Sequence, residues 1–82
     1  MDTRVAIIAI VVEDNSNTEA LNHILHEYSD AVIGRMGIPY RAKGISLISV
    51  AVDAPMNMIS AMSGKIGMLE GITAKTVYQP EH

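Results

Sequence analysis

Arg4-Val-Ala-Ile-Ile-Ala-Ile-Val-Val-Glu13 decides how the rest of the chain reads. From Val5 to Val12 every residue is apolar at both parities and mostly β-branched, the pattern of a strand covered on both faces. A bilayer needs about 20 such residues, so this run is too short to cross one. Only Arg4 precedes it as a basic residue and no small-residue cleavage site follows, so neither a membrane helix nor a secretory signal is expected. The expected location is cytoplasmic.

On its C-terminal side the chain turns polar through Asp14-Asn-Ser-Asn-Thr-Glu19, where Ser16 and Glu19 have the spacing of a capping box. A helix follows, with Ala20, Leu21, Ile24, Leu25 and Tyr28 on one face and Asn22, His23, His26 and Glu27 on the other. It is expected to end near Ser29-Asp30. Ala31 to Tyr40 reads as a second strand, interrupted by Gly34 and Gly37 and closed by Pro39, so it belongs at a sheet edge. Paired glycines in one strand point to a bulge or a close backbone approach. After the basic turn Arg41-Ala-Lys-Gly44, Ile45 to Val52 is apolar at both parities and predicts a second central strand.

Asp53-Ala-Pro55 predicts the start of a second helix, with Asp53 as its cap and Pro55 in the first turn. Met58, Ile59, Met62, Ile66 and Leu69 share a face, and Gly71 stands where a left-handed residue is expected. Ile72 to Tyr78 is the last strand, and the tail from Gln79 is expected to fray. The order β-α-β-β-α-β predicts a ferredoxin-like α+β domain over residues 1–82, with two helices on one face of a four-stranded antiparallel sheet. Strands one and three then lie in the middle and leave apolar residues on the face that no helix covers. Such a face predicts self-association, by sheet stacking or by pairing at an edge.

Composition agrees with that need. At 82 residues folding hides only about 60% of the unfolded chain's surface, so an isolated core is thin. With no cysteine, disulfides, thiolate catalysis and cysteine metal sites are excluded, and a net charge of −3 disfavours nucleic acid as a direct partner.

Charge is unevenly spread. Arg35, Arg41 and Lys43 form a basic segment, whereas Glu13, Asp14, Glu19, Glu27 and Asp30 precede it with no Lys or Arg between them. A basic patch beside an acidic one can attract an anion or pair across subunits, and two solvated surfaces are the plainer alternative. His23 and His26, with Glu27, form a weak metal-site candidate for zinc or nickel, against an ordinary solvated helix face. The methionines read as flexible core filling. Ser63-Gly-Lys65 lacks the glycine spacing of a phosphate loop, and no serine has an evident base beside it. No residue pattern argues for an enzyme or requires a cofactor.

Several stretches resemble one family. Glu13 before the first helix, His26-Glu-Tyr28, Gly34-Arg-Met-Gly-Ile-Pro-Tyr-Arg41, Gly44-Ile-Ser46 and Ser63-Gly-Lys-Ile-Gly67 are similar to the small ACT-like iron-only hydrogenase system regulators. The resemblance covers nearly the whole chain and implies a ferredoxin-like fold close to ACT domains and to the C-terminal domain of nickel-responsive repressors. It also implies a sensory module that binds amino acids or metal at subunit interfaces, near the loop between strand one and helix one. On that basis Asp14, Asn15, Ser16 and Asn17, with Arg35, Met36, Gly37 and Arg41, are the candidate ligand-binding residues. The loop lacks the glycine common in amino-acid-binding ACT domains, which weighs against that ligand class. The expectation is a non-enzymatic homo-oligomer, a dimer or higher, that receives a small anionic or amino-acid ligand between subunits. The alternatives are a metal sensor using the helix histidines and a ligand-free interaction subunit.

Overall fold

The computed structural model describes residues 2–80, and the first apolar run forms β1 (Arg4–Val12). The chain continues through α1 (Thr18–Glu27), β2 (Val32–Tyr40), β3 (Ile45–Ala54), α2 (Met56–Gly67) and β4 (Ile72–Tyr78). Every strand pairing is antiparallel and the sheet order is β2-β3-β1-β4, so the two doubly apolar strands occupy the centre as expected. This is the ferredoxin-like α+β arrangement.

Strand alternation divides the sheet into two unlike faces. Ala6, Ile8, Ile10 and Val12 of β1 and Val50, Val52 and Ala54 of β3 point to the helices and are buried. Leu21, Ile24 and Leu25 of α1 and Ile59, Met62 and Ile66 of α2 close over them. Burying a side chain of this size contributes about 1.5–3 kcal/mol. Met62 does the gap filling that an aromatic ring does elsewhere, and Thr76 of β4 donates to Ser63 of α2 at 3.0 Å where that layer meets the sheet.

Local details differ from the sequence-based expectations at the element ends. The Ser16–Glu19 capping box does not form. Instead the Asp14 carboxylate accepts from the Ser16 amide at 3.0 Å and winds Asn15–Asn17 into a 3-10 turn, so α1 starts later, at Thr18. An Asx turn competes with a helix cap for the same backbone donors, and here it wins. Asp53 does not cap α2. It stays in β3 opposite Val5, and Pro55, with extended backbone, takes the position before the helix. Met58 is exposed, because the buried stripe of α2 runs through Ile59, Met62 and Ile66. Gly71 is left-handed at φ +77°, but as the residue leading into β4; α2 itself ends at Gly67. Gln79 is tied down, its amide donating to Val5 at 2.8 Å and its carbonyl accepting from Arg4. The rest of the expected frayed tail, Glu81 and His82, lies outside the described residues.

Candidate functional site

The face away from the helices carries the first candidate surface. Met36 and Ile38 of β2, Leu47 of β3, Ile7 of β1 and Val77 of β4 lie side by side there, 61%, 50%, 41%, 47% and 67% exposed. Ala9, Ser49 and Ala51 form the low centre between them, and a shallow cavity of about 230 Å³ opens over Ala9, Met36, Leu47 and Ser49. Among the described strand residues, Lys75 and Asp53 are the charges on this side, one on edge strand β4 and one at the end of β3.

The second surface lies on the helix side, at the β2 edge. Val32 pairs with Val52, but Gly34 pairs with Ala51, so Ile33 is the extra residue of a β-bulge. The bulge has a directional effect. It lets Val32 and Arg35, three apart, both face α1, whereas Met36 faces the open side. The bulge expected from the glycines is thus present beside Gly34. Asn22, Leu25, His26 and Ser29 complete a groove of about 400 Å³ with Val32 and Arg35. The Arg35 guanidinium donates to the Asn22 amide oxygen at 3.4 Å, a long contact.

The loop from Glu13 to Thr18 lies at the other side of the fold. Glu13 donates its amide to Gly71 at 2.7 Å, and the Asn17 side-chain amide donates to the Glu70 carbonyl at 2.8 Å. Asp14 and Asn17 therefore shape the loop and bind it to the turn before β4, while Asn15 and Ser16 have exposed side chains. The bond from the Ser16 amide holds the Asp14 carboxyl below its ordinary value of 3.8.

The candidate residues named from sequence are thus not brought together within one chain. Asp14 to Asn17 stand beside β4, Arg35 lines the α1–β2 groove, Met36 lies on the open face, and Arg41 stands exposed in the turn Arg41–Lys43. Gly37 faces Ile48 on the helix side. His23 and His26 are exposed on α1, and Glu27 is paired with Lys65 at 3.4 Å. Lys65 also lies 5.0 Å from the Tyr28 ring centre, and hydrogen bonding to Tyr28 and then the charge of Glu27 raise its pKa above 10.5. Among the described residues no three His, Asp or Glu side chains gather as a metal site. Sequence reasoning missed Asn22, Ser29 and Val32 as partners of Arg35. The signal was present in the Gly34 bulge, but the register shift that turns Arg35 toward α1 depends on pairing with β3.

Comparison with known proteins places this geometry. The family model described as “TM1266-like: Iron-only hydrogenase system regulator, putative” matches residues 4–76. The solved structure of TM1266 from Thermotoga maritima superposes with a TM-score of 0.91 at 32% identity, covering 96% of this chain and 100% of that one. A “Putative nickel-responsive regulator” of Saccharolobus solfataricus is 30% identical over 66 residues, 80% of this chain and 49% of the relative. The chain thus spans about half the length of that curated relative. A formyltetrahydrofolate deformylase from Pseudomonas putida KT2440 shares the fold at a TM-score of 0.65 and 15% identity, over 95% of this chain and 29% of that one. Among the described residues no helix is long and apolar enough to cross a membrane.

Proposed function

This chain belongs to the TM1266-like family of iron-only hydrogenase system regulators, and from that premise we propose that it is a cytoplasmic, non-enzymatic regulatory module that works as a homo-oligomer. One observation carries the assembly: a central sheet face made of Ile7, Met36, Ile38, Leu47 and Val77 that the chain's own helices leave uncovered. Exposed contiguous apolar area of this kind is costly in water, and a second copy supplies a surface of matching character. The shallow centre over Ala9 and Ser49 supports stacking, since large side chains at its margin have somewhere to go.

The same reading makes the module ligand-responsive. Within one chain the Glu13–Thr18 loop and Arg35 stand at opposite edges of the sheet and do not share one ligand, so the α1–β2 groove that Arg35 lines is the ligand site this reading favours. Light scattering on the purified chain tests the assembly. A stable monomer at micromolar concentration removes the basis of this reading.

A metal-responsive reading is favoured only by the name of the Saccharolobus solfataricus relative and by His23 and His26 on one helix surface. It requires donors from a neighbouring chain. Nickel titration with saturable heat that disappears in the His23→Ala and His26→Ala variants supports it, and unchanged heat in those variants ends it.

A further inference from the structure

We propose that the groove between α1 and β2 binds a small aliphatic monocarboxylate, with its carboxylate on the Arg35 guanidinium and its hydrocarbon body over Leu25 and Val32. The inference deepens the ligand-responsive reading by naming the ligand class, and it rests on that reading only for its regulatory consequence. Binding itself needs one chain.

Four features select this class. An arginine presents five N–H donors in a planar fork suited to a carboxylate, and Arg35 engages only the Asn22 amide oxygen, at 3.4 Å, among the described residues. Arg35 is the sole Lys or Arg lining the groove, and of the acids adjoining its lining residues in sequence Glu27 is paired with Lys65 whereas Asp30, beside Ser29, is exposed. One fixed positive charge among such neighbours matches a monoanion and opposes a phosphate dianion. Third, the groove is about 400 Å³, far more room than an inorganic ion fills, and half-buried Val32 gives it an apolar wall with core residue Leu25 packed beneath. Fourth, none of its lining residues is a carboxylate, so the ammonium of an α-amino acid meets only neutral acceptors such as the Asn22 amide oxygen and the Ser29 hydroxyl, and the Arg35 guanidinium repels it. The guanidinium likewise repels a metal cation from His26. Because the groove and the open sheet face lie on opposite sides of the sheet, stacking of two copies leaves the groove accessible.

The test is an amide NMR titration of the full chain with 4-methylpentanoate, leucine and inorganic phosphate. Leucine differs from 4-methylpentanoate only by its α-ammonium group. The expected result is saturable shifts at Asn22, His26, Ser29 and Arg35 with 4-methylpentanoate, and binding weaker by about tenfold or more for the other two, the scale of one charge-assisted hydrogen bond. Arg35→Gln should weaken 4-methylpentanoate by a similar factor while the rest of the spectrum is retained. Asn22→Asp, which sets a competing carboxylate beside the guanidinium, should weaken it too. Equal or tighter binding of leucine or phosphate overturns the ligand class. Unchanged shifts in Arg35→Gln, or no saturable shift in the groove across monocarboxylates from acetate to octanoate, overturns the site. Light scattering on the same samples reads assembly separately, so failure of the oligomer and failure of the groove are distinguishable.

Discussion

Two glycines with the same backbone sign illustrate how neighbours set the cost of a side chain. Gly44 at φ +66° has open space where a Cβ would go, whereas a Cβ on Gly71 at φ +77° would collide with Asp14. Left-handed backbone alone costs an alanine about 1–2 kcal/mol. Gly44→Ala should lose about that much in urea denaturation, and Gly71→Ala distinctly more, because the loop held by Glu13 and Asn17 must shift as well. Equal losses would show that the close approach of Asp14 carries no weight. Asp14 also has an acid signature. Its folded pKa is depressed, so its contribution to stability is complete above the unfolded carboxylate pKa of about 3.9 and is lost as pH falls through the lower folded value. An NMR titration of its carboxyl carbon should show a midpoint below 3.8; a midpoint at or above that value contradicts the Ser16 bond.

At the scale of elements, β2 is the strand whose irregularity has consequences. The extra residue Ile33 is what lets residues three apart share a face, and deleting it leaves Val32 and Arg35 two apart in a regular strand, both still on the α1 side, so 4-methylpentanoate binding should survive deletion of Ile33. Lost affinity in the deletion variant would mean that the local bend of the bulge, and not only the face that Arg35 occupies, positions the guanidinium. Helix α1 is fastened differently, by Leu21, Ile24 and Leu25 packed on the sheet. Leu21→Ala should destabilise the chain by about 2–5 kcal/mol, and a loss under 1 kcal/mol by urea titration would show that the site collapses around the missing atoms.

For the whole molecule the unlike faces of the sheet matter most. Ile7 stands in central strand β1, 47% exposed, with Val77 and Ala51 as its cross-strand neighbours and Lys75 diagonal to it. Ile7→Glu therefore adds a charge that Lys75 can partner within one chain but that is costly to bury between two. Light scattering should show dissociation toward monomer with the circular dichroism spectrum retained. The wild-type melting temperature should rise with protein concentration, as mass action requires of an assembly that stabilises the fold. A concentration-independent melt and no change of mass in Ile7→Glu would leave the open face as solvated surface.

Much of the architecture was legible in the chain. The runs Val5–Val12 and Ile45–Val52, apolar at both parities, already implied paired central strands, because such a strand has no polar side to turn to water and belongs between neighbours, not at an edge. Spacing on the helices likewise separated Leu21, Ile24 and Leu25 from Asn22, His23 and His26. Those are local periodicities, and local backbone geometry imposes them. Tertiary structure alone decided the rest. Ser16 and Glu19 have capping-box spacing, yet Asp14 and the turn at Glu70 claim the loop. Arg35 and Asn22 are far apart in any reading of motifs, and they meet because a one-residue slip in the β2–β3 register turns Arg35 toward α1. Side-chain direction in a strand reverses with every residue, so where a site forms depends on which backbone groups pair across the sheet.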